Sequence, residues 1–341
     1  MEVLIIGGTG LISTGITRQL VDAGHDVTIV NRGESDAEIP DSVTKVTGDR
    51  TDYDRFEAQM ADLDVECVID MVGFVPEDAR SAVRAFGDRI EQYIFCSTID
   101  VYHRPPPNQP VREGAPRHPP VSEYGENKAI CEDVFMDADE NGAFAATVIR
   151  PWSTYGEGGS VLHTFGSDTY YVDRLRRGKP IVVHGDGTSL WSPCHRDDVA
   201  GAFVGAVDNE TAYGEAYHVT SEESMTWNQY HHRVADALGA PEPELVHVPT
   251  EILLAADPDR TGMLEKHFQY TTVFDNSKAQ RDLGFEYTIA WEEGVRRTVA
   301  WLEEHDEIRD ADDVPFDDRL VEAWRRSTGE FIEEIRSERS E

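Results

Sequence analysis

Tyr124 and Lys128 stand four positions apart in Tyr124-Gly125-Glu126-Asn127-Lys128. On a helix that spacing puts both side chains on one face. A phenol is a poor base at neutral pH, with an ordinary pKa of about 10. A neighbouring ammonium favours the phenolate and brings proton transfer within reach. Upstream, Phe95-Cys96 leads into Ser97-Thr98, two hydroxyls that could hold a substrate oxygen against the tyrosine. A second pattern opens the chain: Gly7-Gly8-Thr9-Gly10-Leu11-Ile12-Ser13, preceded by an apolar run. Glycines between a strand and a helix let the backbone approach a pyrophosphate, and the first helical N–H groups then face that anion. A group that moves a hydroxyl proton, together with a dinucleotide cradle, points to hydride transfer at a carbinol carbon.

Gly7, Gly10, Leu11 and Ile12 are thus candidates for cofactor binding. The end of the next strand usually selects the cofactor, since an acid there binds the ribose diol of NAD. Here Asn31-Arg32 occupies that place. A guanidinium can pair with a 2′-phosphate, which leans toward NADP; an Arg lying over the adenine of NAD is the alternative. In Gly48-Asp49-Arg50, Asp49 could accept a hydrogen bond from the adenine amino group, with Arg50 beside it.

These residues need rigid elements to carry them. Apolar runs at Val3–Ile6, Val27–Val30, Val43–Val46, Cys67–Ile69, Tyr93–Cys96 and Ala146–Ile149 read as strands. Helical spacing over about 11–23, 53–61, 78–87 and 124–140 alternates with them. Near-continuous apolar strands separated by helices imply an α/β fold whose parallel sheet is covered on both faces. After Pro151 the pattern loosens. Residues 1–152 plus about 195–220 are expected to form the main domain. Residues of about 153–194 and 221–305 are expected to form a smaller interleaved α+β lobe, and 306–341 an acidic helical extension. In that extension Leu320, Val321, Trp324, Phe331, Ile332 and Ile335 recur at helical intervals, as a docked or a solvated helix would have them.

With these motifs together, the chain resembles the extended short-chain dehydrogenase/reductase superfamily, of the nucleotide-sugar epimerase/dehydratase type, over roughly residues 1–300. The resemblance implies a doubly wound Rossmann domain binding NAD(P), with the substrate between it and the smaller C-terminal lobe. It makes Tyr124 the catalytic acid or base and Lys128 its partner, which also reaches the nicotinamide ribose. Thr98 fills the catalytic Ser/Thr slot and Ser97 the neighbouring one. Met71, Val72 and Gly73 follow the fourth strand where the family's chain passes the cofactor, and Pro151 of Arg150-Pro151 lies beside the nicotinamide. Asn31-Arg32-Gly33 and Asp70-Met71-Val72-Gly73-Phe74 look closest to the branch of chloroplast stem-loop binding proteins.

The departures from the family pattern fall on the substrate side. Ser153 stands where nucleotide-sugar epimerases usually have Asn, and Trp191 where an Arg often clamps a diphosphate. Arg174, Arg176, Arg177 or Arg260 could replace that Arg. Alternatively Trp191, Trp152 and His195 line a pocket for an unactivated sugar or cyclitol. Ile99 stands where a dehydratase usually carries an acid, which disfavours elimination. The expected activity is NAD(P)-dependent redox or epimerisation at a carbinol carbon of a sugar or nucleotide sugar. A dehydrogenase or reductase without epimerisation, and a non-catalytic dinucleotide-sensing or RNA-binding protein, are the alternatives. A homodimer is the expected assembly.

Composition narrows the field further. The 341 residues hold 66 acids against 31 bases, a net charge of −35. A phosphate backbone or an anionic membrane would repel such a surface. No basic leader or long apolar run precedes the first strand, which points to the cytoplasm. The four cysteines lie far apart, without zinc or redox spacing, and read as buried thiols. Six histidines, His103, His163, His184, His195, His231 and His232, likewise lack metal-site spacing, so no metal is expected. Only five of the bases are lysine (Lys45, Lys128, Lys179, Lys266 and Lys278), as in proteins of a high-salt cytoplasm. Repulsion among carboxylates reaches about 10 Å at 0.1 M salt and about 3 Å at 1 M. The melting temperature should therefore rise substantially between 0.1 M and 2 M KCl. A flat or falling curve in a thermal-shift series would refute the high-salt reading.

Overall fold

The computed structural model describes residues 1–35 and 37–338; residues 339–341 of the expected extension lie outside the described residues. Two compact units are present. The first comprises Met1–Gly158, Ser192–Ser224 and Thr272–Trp291, and the second Gly159–Trp191, Met225–Thr271 and the residues from Glu292 on.

A seven-stranded sheet forms the centre of the first unit. Its strands are β1 (Glu2–Ile6), β2 (Asp26–Asn31), β3 (Thr44–Thr47), β4 (Cys67–Asp70), β5 (Gln92–Cys96), β6 (Ala145–Pro151) and β7 (Glu215–Val219). All neighbours pair in parallel, in the order β7-β6-β5-β4-β1-β2-β3. Apolar residues on both faces of the inner strands explain the layering. In β1, Val3 and Ile5 join one core with helices α1 (Leu11–Asp22) and α5 (Arg196–Ala206). Leu4 and Ile6 join the other, with α2 (Tyr53–Ala61), α3 (Pro76–Phe86) and α4 (Glu123–Glu140). Fully burying one such aliphatic side chain stabilises by about 1.5–3 kcal/mol, so a strand that is apolar on both faces is held from both sides. The order of connection reverses between β1 and β4, and the carboxyl ends of strands at such a switch point leave a crevice for a ligand.

Two close approaches aim the chemistry-bearing segments at that crevice. Gly8 has φ +86°, and a Cβ there would lie 2.5 Å from Ile29, so only glycine lets the turn pack on β2. At the start of α4 the Ser122 hydroxyl accepts the Gly125 N–H at 3.0 Å. A Cβ on Gly125 would lie 2.2 Å from the Asp100 carbonyl, so glycine lets the helix press against the turn that follows Thr98.

The division of the chain differs from the expected one at residues 272–291, which fold with the first unit. Val111 bridges to Phe274, and the Asn276 amide donates to the Thr220 carbonyl at 3.0 Å. Ala279 and Leu283 pack into the same core as β7. These are long-range contacts with no local sequence signal.

The second unit pairs strand Ile181–His184 in parallel with Leu245–Val248. It packs Trp191 and Trp227 5.3 Å apart, with Phe268 5.0 Å from Trp191. Its last helix, Phe316–Glu338, divides in two. The first turns dock: the Tyr170 hydroxyl donates to Asp317 at 2.8 Å, Arg174 pairs with Asp318 at 2.8 Å, and Val321 is buried. The later turns expose Phe331, Ile332 and Ile335. Among the described residues no helix is long and apolar enough to cross a membrane.

Candidate active site

A cavity of about 720 Å³ opens over the carboxyl ends of β1, β2, β4 and β5. The glycine turn forms one wall through Gly7, Gly10, Leu11 and Ile12. Asn31, Arg32, Asp49 and Arg50 form the far end, and Met71, Val72 and Pro151 the side walls. Ser97, Thr98, Tyr124 and Lys128 close the near end, so one concavity joins the two patterns of the sequence.

The turn is built to hold an anion. Its first helical N–H groups have no acceptor within the helix, and the Ser13 hydroxyl takes the Gly10 N–H at 2.8 Å, fixing the entry of α1. Asn31 braces the turn from β2, its amide donating to the Gly7 carbonyl and the Thr9 hydroxyl, each at 3.3 Å. These features fit a dinucleotide pyrophosphate. Arg32 extends into solvent and pairs with Glu34 at 3.0 Å. Asp49 forms a tight turn, accepting the Thr51 N–H and hydroxyl at 2.9 and 2.7 Å.

Arg50 lines the wall, but its guanidinium is already engaged. It donates to Asp70 at 2.6 Å and to the Asp78 carbonyl at 2.7 Å. Burial would raise the Asp70 pKa, yet Arg50 and donors from Tyr93 and the Val72 N–H hold it below the ordinary carboxylate value. Asp78 in turn accepts the Phe74 and Val75 N–H groups at 2.8 and 3.1 Å. Arg50 thus shapes the loop after β4 rather than presenting a free donor to a cofactor. Gly73 does not line the cavity; its carbonyl accepts Lys128 Nζ at 2.8 Å, and a Cβ there would lie 2.9 Å from Asp70.

Lys128 is buried and also donates to the Cys96 carbonyl at 2.6 Å, with Nζ 4.4 Å from the centre of the Phe95 ring. Burial lowers its pKa. Tyr124 is 42% exposed, and desolvation of its inner part, followed by the nearby Cys96 and Asp100, raises it above the ordinary phenol value, while a hydrogen bond with Thr98 opposes the shift. The sequence led us to expect a lysine-lowered tyrosine. The ammonium is turned to backbone carbonyls, and the phenol stays protonated. Thr98 Oγ1 also accepts the Asp100 N–H at 3.2 Å. Ser97 donates to Glu132 at 2.5 Å. Glu132 is held in turn by Arg150, at 2.8 and 2.7 Å, so the Ser97 hydroxyl faces a buried carboxylate.

Three expected substrate residues are placed elsewhere. Trp191 is a core residue of the second unit, packed on Trp227 and Phe268. His195 is fully buried, caps α5 by accepting the Asp197 N–H at 3.2 Å, and lies 3.3 Å from Glu157. Glu157, His195 and Asp197 bring ligand-type atoms together, but the Arg196 guanidinium stands 3.2 Å from Glu157 and already supplies a positive charge there. Ser153 has φ +44° and lies outside the cavity wall; its carbonyl accepts the Cys194 N–H at 3.2 Å. Phe74 of the segment after β4 lines the cavity, as do Glu34, Ser35, Thr51 and Asp78, to which no motif points. Of those four only Asp78 carried a signal, as an acid just inside a helix that opens with proline.

The profile of the "NAD dependent epimerase/dehydratase family" matches residues 3–220. The chain belongs to this family, and it is an enzyme of the extended short-chain dehydrogenase/reductase type. A 2′-dehydrokanamycin reductase of Streptomyces kanamyceticus is 30% identical over 275 residues, covering 81% of this chain and 77% of the relative. A chloroplast stem-loop binding protein of 41 kDa of Arabidopsis thaliana is 31% identical over 259 residues, covering 72% of this chain and 65% of that one. Among solved structures, a Thermotoga maritima UDP-glucose 4-epimerase with UDP-glucose shares the fold at a TM-score of 0.70 and 20% identity, covering 90% of this chain and 100% of that one. The Bordetella bronchiseptica enzyme WbmH with NAD+ does so at 0.69 and 22% identity, covering 89% and 99%.

The ion pair beneath the loop yields a test. Breaking a buried pair by neutralising one partner costs about 3–5 kcal/mol. Asp70→Asn should lose about that much in denaturant unfolding at pH 7. The folded Asp70 pKa lies below its unfolded value, so the pair's contribution is full above the ordinary value near 3.8 and fades as pH falls through the lower folded one. The gap between wild type and Asp70→Asn should hold down to about pH 4 and close below it. A gap that is small at pH 7 would show that Arg50 does not need this partner.

Proposed function

We propose that this chain catalyses NAD(P)-dependent oxidation and reduction at a carbinol carbon of a sugar that carries no nucleotide. The observation that carries the reading is the convergence of the glycine turn, Thr98, Tyr124 and Lys128 on one cavity. When bound, the nicotinamide supplies the hydride acceptor or donor. Tyr124 moves the hydroxyl proton: as a phenol it donates to a substrate carbonyl, and as a phenolate it accepts from a carbinol. Partial burial keeps Tyr124 in the phenol form at neutral pH. Thr98 holds the substrate oxygen, and Lys128 would hold the nicotinamide ribose from its carbonyl-bound position.

The nucleotide-free substrate is supported by the fate of the candidate diphosphate arginines. Arg174 is buried against Asp318, Arg176 pairs with Glu303, and Arg177 is surrounded by three acids, Asp173, Asp310 and Asp312, which repel an approaching diphosphate. Arg260 lies 4.9 Å from the centre of the Phe316 ring. RNA binding is opposed by the charge of −35. The same charge supports a protein of a high-salt cytoplasm.

Mass spectrometry of tightly bound nucleotide, followed by a turnover screen over free and nucleotide-linked sugars, tests the reading. Turnover confined to nucleotide sugars would overturn it. Tyr124→Phe keeps the ring and removes the proton-transfer group. A positioned acid–base group contributes about 10²–10⁴-fold, so kcat should fall by that factor while cofactor affinity holds. Retention of more than about a third of turnover would exclude Tyr124 as the acid or base.

We further propose NADP as the cofactor, with Arg32 exchanging Glu34 for the 2′-phosphate. A charge-assisted contact is worth about 1.5–3 kcal/mol. Arg32→Ala should therefore weaken NADP about 10- to 100-fold by fluorescence titration and leave NAD almost unchanged. Equal weakening of both would assign Arg32 to the adenine instead.

A further inference from the structure

Five arginines of the described chain are buried: Arg50, Arg104, Arg150, Arg174 and Arg196. Four of them face a carboxylate, with Asp70 at 2.6 Å, Glu132 at 2.7 Å, Asp318 at 2.8 Å and Glu157 at 3.2 Å respectively. Arg104 has no carboxylate within ion-pair distance among the described residues. Its Nη1 donates to the Thr272 hydroxyl, while Nε and Nη2 have no acceptor among the described residues. Those two nitrogens form one edge of the guanidinium, the edge that takes a carboxylate or phosphate with two parallel hydrogen bonds. The plane is braced by Trp152, whose ring centre lies 4.9 Å from the guanidinium carbon. A buried cation without a paired anion is costly. The environment registers that cost: burial pushes the Arg104 pKa down to about 10, with Asp100 opposing, so the side chain is still charged at neutral pH.

Arg104 and Trp152 are not part of the cavity wall, but they lie next to segments that are. Trp152 follows Pro151 of the cavity wall. The Asp100 carbonyl abuts Gly125, the neighbour of Tyr124, and Asp100 itself lies two residues past Thr98. We infer that Arg104 is an anion subsite beside the proton-transfer group, and that the sugar substrate carries a carboxylate or a phosphate which the Nε and Nη2 edge binds. This deepens the proposed function and rests on Tyr124 marking the reacting carbon. It also explains how an anion is held by a chain of net charge −35: the binding cation is enclosed, where its attraction for an adjacent anion is stronger than in water and water competes little.

The test uses the NADP-saturated enzyme in KCl at constant ionic strength, with inorganic phosphate in one arm and acetate in the other. The melting temperature should rise with at least one anion, by about 2 °C or more near saturation. The arm with the larger rise names the group. Arg104→Met should abolish the rise and leave NADP affinity unchanged. Without added anion, Arg104→Met should melt at or above the wild type, because it removes an unpaired buried charge. A lower melting temperature for Arg104→Met would make the guanidinium a structural group and overturn the proposal. So would an equal anion response in both proteins, or no response in the wild type. Tyr124→Phe should keep the anion response in full. If Tyr124→Phe keeps its turnover as well, the acid–base reading fails while the anion subsite stands.

Discussion

A buried ammonium bound to two backbone carbonyls organises the first unit's cavity. Lys128 reaches from α4 to the Cys96 carbonyl at the end of β5 and to the Gly73 carbonyl in the loop after β4. An unsatisfied charge there would be expensive, so both carbonyls must be in place. The Cys96 carbonyl is supplied by a sheet strand. The Gly73 carbonyl depends on a loop, and the loop depends on Arg50, Asp70 and Asp78. Glycine at 73 is part of the same constraint, because a side chain would collide with Asp70 and Phe95.

The cavity therefore rests on a chain of buried polar groups, each satisfied by the next. Asp70 is covered by Arg50, Tyr93 and the Val72 N–H. Ser97 leans on Glu132, Glu132 on Arg150, and Arg150 on the Tyr102 hydroxyl at 2.5 Å. Networks of this kind rigidify when complete and are costly when broken. Arg104 is the exception among the buried arginines. Among the described residues four of the five buried guanidiniums face a carboxylate, and one edge of the fifth has no acceptor.

Tyr124 shows why electrostatics resisted a reading from spacing. The four-residue interval does put Tyr124 and Lys128 on one side of α4. The direction of an ammonium, however, follows its best acceptors. Carbonyls from β5 and the β4 loop outcompete a phenol that is still protonated. The tyrosine pKa is consequently governed by partial desolvation and by Cys96, Asp100 and Thr98.

The local chemistry of the chain was enough to determine the strands, the helices that separate them, the glycine turn and the register of Tyr124 on Lys128. Hydrophobic period, glycine placement and helix spacing act between residues a few positions apart, so they are legible without a fold. The third strand fell one residue off, at Thr44–Thr47, because an edge strand with mixed residues has a weak period. What only the tertiary structure decided was the pairing of charged and aromatic side chains. The sequence could not say that Trp191 belongs to a core with Phe268, that Arg50 faces Asp70 instead of a cofactor, or that residues 272–291 return to the first unit. Nor could it single out Arg104, whose hydroxyl partner is Thr272. A long polar side chain reaches whatever acceptor folding brings beside it. That acceptor is chosen by contacts across tens to hundreds of residues, which no local pattern records.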